Sequence, residues 1–258
     1  MEEHRLPGGR THGAVRVGDA VHRTAQPWTP TVHALLRHLE AAGFGGAPRV
    51  LGFDDRGRER LTFLPGETVN ERFPWPPWVF TDATLTEVAR WARGLHDATA
   101  SFTPPADATW FSGRAWEPGL IVGHHDAAPW NAVWRDGHLA GFVDWDTAGP
   151  STREFDLAYT ALTWVPLFAP EFVAPLGFTS PHDRSRRLHL LLDTYGYDGP
   201  RDGFRDLIAR RARISVEVIH RLAAAGEPIY TAMLGWAEDL ESAAREVESQ
   251  PASFWSRD

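Results

Sequence analysis

Between Leu120 and Asp156 the chain reads LIVGHHDAAPWNAVWRDGHLAGFVDWDTAGPSTREFD, and its polar residues are spaced for chemistry around a hard cation. Leu120, Ile121 and Val122 suit a short buried strand that runs into the polar cluster Gly123-His124-His125-Asp126. Asn131 follows Asp126 by five positions. The runs Ala132-Val133-Trp134 and Ala140-Gly141-Phe142-Val143 then flank Asp136-Gly137, a strong two-residue hairpin signal. Such a hairpin returns Asp144 beside Asn131, so Asp126, Asn131 and Asp144 are expected to converge on one pocket. Carboxylate and amide oxygens suit Mg²⁺, which completes its shell with water and nucleotide phosphates. The matching reaction is phosphoryl transfer, with Asp126 left to receive the proton of an acceptor hydroxyl, the division of labour found in protein kinases. Taken singly, an Asp or Asn in a loop is usually a turn former or a helix cap. Asp136 and Asp146 are read that way, as turn or surface residues, and His124 as a structural residue bonded to backbone behind the loop.

His124-x-Asp126-x4-Asn131, then Asp144 after a hairpin and Phe155-Asp156-Leu157-Ala158, together resemble the aminoglycoside phosphotransferase family of kinase-like enzymes. The resemblance implies an α+β, protein-kinase-like bilobal fold with a small β-rich N-lobe and a mostly helical C-lobe. It implies Asp126 as catalytic base, Asn131 and Asp144 as Mg²⁺ ligands, ATP or GTP as donor, and Asp156 as a structural acid that ties down the catalytic loop. One departure lies inside the motif: the family usually carries Gly where this chain has His125, whose side chain needs room or faces the acceptor.

The elements that must position these groups start with residues 1–66, a nucleotide-binding lobe. Gly8-Gly9 and Gly13 bracket a loop placed like a glycine-rich phosphate cover. Val15–Val17 and Ala20–Arg23 are short strands about a Gly18-Asp19 turn. A helix follows, with Thr29 as cap, Pro30 in its first turn and Val32, Leu35, Leu36 and Leu39 on one face. Val50–Phe53 and Arg60–Leu64 are two further strands, and residues 64–70 form a hinge whose backbone would bind a purine edge. Kinase-like enzymes bind the α- and β-phosphates with a strand Lys paired to a helix Glu. By position the Lys is Arg23 and the Glu is replaced by His33. Either Arg23 binds phosphate without an acidic partner, the reading adopted, or nucleotide binding has degraded.

Residues 67–258 form the catalytic and substrate-binding lobe. Phe73–Trp78 is a rigid aromatic loop. Thr84 with Glu87 suggests a capping box for a helix ending near Ala100, with His96 on its buried face. Helices are expected over 156–164, 185–195 and 203–225, the last with Leu207, Ile214, Val218 and Leu222 on its apolar side. A final helix carries Ile229, Met233, Trp236, Leu240, Ala244 and Val247 as core contacts. Glu217, Glu238 and Asp239 are acidic candidates for holding an acceptor, none of them assigned.

The 258 residues are 43% hydrophobic with 12 Trp, ample for a large core. With no Cys there is no disulfide or thiolate site, and no Lys occurs, so every side-chain cation other than His is Arg. A formal charge of −8 argues against nucleic acid, which needs a basic surface. No apolar run reaches the roughly 18 residues that span a bilayer, so a cytoplasmic monomer or homodimer without membrane contact is expected. The expected function is transfer of the γ-phosphoryl group of a Mg-nucleotide to a hydroxyl of a small molecule. The alternatives are a pseudokinase-type binding protein, or a kinase-like fold repurposed for non-phosphoryl chemistry with His124 or His125 as acid or base.

Overall fold

The computed structural model describes residues 3–6, 13–69 and 73–256. The expected Gly8-Gly9 loop and the last residue of the 64–70 hinge lie outside them. The fold is kinase-like, with a small antiparallel sheet and one helix at the N-terminal end and a mostly helical C-terminal part. By packing, the chain divides into two compact units, Met1–Glu71 with Trp91–Arg153 and Arg72–Arg90 with Glu154–Asp258.

In the first unit the strands β1 (His4–Arg5), β2 (Val15–Val17), β3 (Ala20–Arg23), β4 (Val50–Phe53) and β5 (Glu59–Thr62) form one antiparallel sheet in the order β1-β2-β3-β5-β4. Its register places Arg23 of β3 opposite Glu59 of β5. Between β3 and β4 lies α1 (Thr29–Ala41), whose Val32, Leu35, Leu36 and Leu39 are buried as their spacing predicts. Thr29 does not cap this helix through its side chain; Trp28 stands at the N-cap, and Thr29 Oγ1 accepts the Gln26 N–H at 2.8 Å.

The catalytic segment is built from two small ribbons. β6 (Ile121–Gly123) pairs with β9 (Gly149–Ser151), and β7 (Ala132–Arg135) forms a hairpin with β8 (His138–Phe142) about Asp136-Gly137. Asp136 is exposed with φ 53°, the turn residue expected. The hairpin is fixed at both ends. Glu67 and Trp134 exchange backbone hydrogen bonds of 2.7 and 2.8 Å, so this part of the hinge already spends its backbone groups on β7. On β8, Gly141 meets Gly46 so closely that a Cβ there would lie 2.3 Å from the Gly46 carbonyl oxygen. That oxygen accepts both the Phe142 N–H and the Trp91 indole N–H at 3.0 Å.

The second unit is helical. It holds the start of α2 (Asp82–Thr99), α3 (Arg153–Trp164) from Glu154 onward, α4 (Pro170–Val173), α5 (Arg184–Tyr195), α6 (Arg201–Ala224), α7 (Pro228–Ala232), α8 (Leu234–Ser249) and α9 (Ala252–Trp255). The cap of α2 is Thr81, whose Oγ1 accepts the Thr84 N–H at 3.2 Å; Thr84 itself is buried and donates to the Trp78 carbonyl at 2.6 Å. Gly196 closes α5 in the left-handed conformation that glycine adopts freely.

Two expectations shift here. The buried face of α6 is Phe204, Ile208, Ala212 and Ile219, rotated from the Leu207, Ile214, Val218, Leu222 stripe, which is half-buried. Its faces are both partly apolar, so period alone does not choose between them. The final helix breaks at Met233: Leu240, Ala244 and Val247 are buried in α8, while Ile229, Met233 and Trp236 stay half-exposed, with Trp236 against Phe168 and Phe172. Among the described residues no helix is long and apolar enough to cross a membrane.

Candidate active site

The loop after β6 is organised by His124. Its ring is fully buried against Trp91, Phe142 and Trp145. One nitrogen, Nδ1, accepts the Asp126 backbone N–H at 3.3 Å, which leaves Nε2 to donate to the Val143 carbonyl at 3.1 Å. Both nitrogens are thus committed to backbone, the structural role its sequence context suggested. The next residue, His125, has φ 63°. A non-glycine residue in this left-handed region costs about 1 kcal/mol, and histidine is among those that tolerate it best. That geometry accounts for the glycine expected here. The imidazole lies against Gly149, in the neighbourhood of Ser112, and is half-buried.

Asp126 is half-buried, and two N–H donors converge on its carboxylate. Trp130 Nε1 reaches Oδ1 and Oδ2 at 3.2 and 3.3 Å, and Asn131 Nδ2 donates to Oδ2 at 2.8 Å and to the Asp126 carbonyl at 3.0 Å. Asn131 belongs to a short 3₁₀ turn, Pro129–Asn131, entered through Pro129, whose fixed φ suits the first position. Its amide nitrogen is committed to Asp126, so its Oδ1 is the atom left to act as an acceptor. Asn131 is tied by its carbonyl to the Val143 N–H at 2.9 Å, one residue before Asp144.

Asp144 also lies in the left-handed region, with φ 62° and ψ 67°, which turns the chain out of the β8 extension into the short 3₁₀ turn Trp145–Thr147. Thr147 Oγ1 anchors that turn to the His124 carbonyl at 3.0 Å. The carboxylate of Asp144 is 42% exposed and accepts from Arg23 Nη1 at 3.1 Å.

Arg23 is the centre of a second cluster. Its Nε donates to Glu59, and Nη1 and Nη2 donate to the two oxygens of Asp146 at 3.1 and 3.0 Å, the planar bidentate geometry at which arginine excels. Burial works against the guanidinium charge, but Asp146, Glu59 and Asp144 outweigh it and hold the group well above its ordinary value. Trp28 Nε1 donates to Asp146 at 3.2 Å, and His33 Nε2 lies 3.0 Å from the far oxygen of Glu59.

This arrangement corrects two expectations. Arg23 does have acidic partners, supplied by β5 and by the turn after β8 rather than by α1; His33 reaches the cluster through Glu59. Asp146 is a buried counter-ion and not a surface residue. Glu59 and Asp146 are the residues that sequence reasoning missed. The only available signal was pairing register, which sets Glu59 opposite Arg23 in adjacent strands.

The structure therefore brings Asp126 to Asn131 and Asp144 to Arg23, and joins the two pairs through the Asn131–Val143 backbone bond. Three carboxylates, those of Glu59, Asp144 and Asp146, face one guanidinium, an acidic surround that suits a further cation. The Asn131 amide oxygen and the half-exposed Asp144 carboxylate are hard donors of the kind Mg²⁺ takes, so the residues present fit such an ion. Among the described residues no three His, Asp or Glu side chains form a metal-binding group by themselves, so remaining ligands would come from phosphate and water. In the second unit Asp156 is buried in the first turn of α3, Glu217 and Glu238 are exposed, and Asp239 is half-buried with its pKa raised by burial and by Glu238.

The fold is that of kinase-like proteins. The model of the phosphotransferase enzyme family matches residues 108–189, which span the loop, the hairpin and α3. A trifolitoxin immunity protein of Rhizobium leguminosarum bv. trifolii is 40% identical over 207 residues, covering 78% of this chain and 77% of that protein. A choline/ethanolamine kinase family protein from Mesorhizobium loti shares the fold at TM-score 0.63 and 16% identity, over 97% of this chain and 89% of that one. An amicoumacin kinase in complex with AMP-PNP, Ca²⁺ and Ami does so at TM-score 0.64 and 11% identity, over 95% and 87%. The chain belongs to the phosphotransferase enzyme family.

Proposed function

We propose that the protein transfers the γ-phosphoryl group of Mg-ATP or Mg-GTP to a hydroxyl of a small molecule. Residues 1–66 form the nucleotide-binding lobe and residues 67–258 the catalytic and substrate-binding lobe. The observation that carries the reading is the Asp126–Asn131 hydrogen bond beside an accessible Asp144. Asp126 receives the acceptor proton, its carboxylate oriented by Trp130 and Asn131 so that one oxygen edge can face the hydroxyl. Asn131 Oδ1 and Asp144 would hold Mg²⁺, which supplies charge neutralisation at the phosphates when bound. Arg23 contributes a fixed cation from β3. No covalent enzyme intermediate is required.

The 40% identity to a trifolitoxin immunity protein supports a toxin or antibiotic as the acceptor, and self-protection as the physiological purpose. A second reading, binding without turnover, is favoured by one observation: Arg23 is saturated by three carboxylates, which leaves it less free to meet phosphate.

Thermal unfolding with and without Mg-ATP and Mg-GTP tests the proposal. A ligand at about 100 times its Kd stabilises by about 2.7 kcal/mol. A Mg-dependent rise in Tm identifies the donor and justifies assaying hydroxylated acceptors for ADP or GDP release. A protein stabilised by nucleotide yet silent with every acceptor fits the binding reading, and no shift with either nucleotide overturns both.

A further inference from the structure

The three carboxylates around Arg23 are not equivalent, and their differences assign them different jobs. Asp146 takes two parallel hydrogen bonds, has a side chain only 11% exposed, and is itself held by the Trp28 indole. Glu59 is 1% exposed and braced by His33. Arg23 reaches Asp144 through one nitrogen, at 3.1 Å, and the Asp144 side chain is 42% exposed. An exposed single contact is easily exchanged with water or a ligand, whereas breaking a buried bidentate pair strands a charge.

We propose that Asp146 is a positioning residue for nucleotide binding: it and Glu59 fix the guanidinium plane of Arg23, while Asp144 is the one partner that Arg23 gives up when Mg-nucleotide arrives. All three guanidinium nitrogens keep their buried partners, Nε on Glu59 and Nη1 and Nη2 on Asp146, and only the second hydrogen of Nη1 passes from Asp144 to a phosphate oxygen, freeing Asp144 for the metal. The device explains how an arginine can serve where a lysine is expected. A lysine needs one acidic partner to steer a flexible stem; arginine's fork needs two, on two sides, and this chain supplies them from β5 and the Trp145–Thr147 turn. The proposal rests on the phosphotransfer reading for its ligand, although the anchoring asymmetry does not.

The test combines a nucleotide-free and a nucleotide-bound measurement on isosteric variants. In the absence of nucleotide, double-mutant cycles of Arg23→Lys with Asp146→Asn and with Asp144→Asn are followed by Tm. The Arg23–Asp146 coupling is expected to exceed the Arg23–Asp144 coupling; equal couplings, or the reverse order, overturn the anchor whatever nucleotide does. Affinity for ATP and GTP is then measured by calorimetry with and without Mg²⁺. Asp146→Asn is expected to weaken binding about tenfold or more both with and without the metal, as loss of a partner in a buried charge pair does. Asp144→Asn is expected to weaken binding only when Mg²⁺ is present. If Asp146→Asn leaves affinity unchanged while the couplings hold, Asp146 is a structural anchor only and the positioning role is refuted. If wild type binds neither nucleotide, the phosphotransfer reading itself falls, and the positioning role with it.

Discussion

Replacing Gly141 by Ala tests whether the strand that delivers Asp144 is held by a backbone contact. The added Cβ would lie 2.3 Å from the Gly46 carbonyl oxygen and 2.4 Å from its Cα, and neither is a side chain that can rotate away. Gly141 also has φ 147°, a conformation glycine alone adopts without strain. Overpacking costs about 1–3 kcal/mol and a backbone outlier of this kind a similar amount, so about 4 kcal/mol is expected together. At about 2–4 °C per kcal/mol for a chain of this size, Tm should fall by about 10 °C. The same clash pushes on the Gly46 carbonyl that serves both Phe142 and Trp91, so β8 and Asp144 shift with it. Nucleotide-induced stabilisation is therefore expected to fall as well. Gly137→Ala is the control, because Gly137 sits in the exposed turn with φ 83° and nothing within 4 Å of a new Cβ. It should cost only the conformational part, about 1 kcal/mol. Differential scanning calorimetry of both variants decides the matter. A Gly141→Ala protein that melts within 2 °C of Gly137→Ala would refute the close approach as the element that fixes this strand.

Asp126→Asn should lower turnover by about 10²–10⁴-fold while leaving the Mg-nucleotide Tm shift intact, and His125→Ala should leave turnover measurable. The reverse pattern, an active Asp126→Asn and a dead His125→Ala, would move the chemistry to the histidine. Asp144→Ala should weaken Mg-nucleotide binding by calorimetry, and equal affinity would remove Asp144 from the metal site. Stability should be lost in acid. Hydrogen bonds from His22 and then Arg58 depress the pKa of Asp54, and hydrogen bonds from Arg186 depress those of Asp82 and Asp183. Each lies below the unfolded value of about 3.9, so its contribution is complete above that pH and lost as pH falls through the folded values. Tm followed downward from neutral pH should begin to fall below about pH 4, with a shallower slope in Asp54→Asn; a flat profile would contradict the pairing.

Much of the site was legible because its signals are local. A strand running into His124-His125-Asp126, an Asn five residues on and an Asp-Gly turn leave the chain little choice but a loop, a hairpin and a returning Asp144. Buried His124 follows from the same stretch, since a ring flanked by an apolar strand has only backbone to bond. Helix α1 was legible in the same way, its Leu35, Leu36 and Leu39 falling on one face whatever the rest of the chain does.

What tertiary structure decided is which charges meet. Glu59 and Asp146 lie 36 and 123 positions from Arg23, and only the β3–β5 register and the turn after β8 bring them to it. The missing helix glutamate was therefore not a missing counter-ion, because a buried guanidinium is neutralised by whichever acids the fold places beside it. The same holds for α6, where period offered two half-apolar faces and packing against α8 selected one. Local sequence fixes backbone conformation through sterics and turn chemistry that act within a few residues. Pairing of buried charges is a long-range matter, set by desolvation, and only the assembled fold determines its outcome.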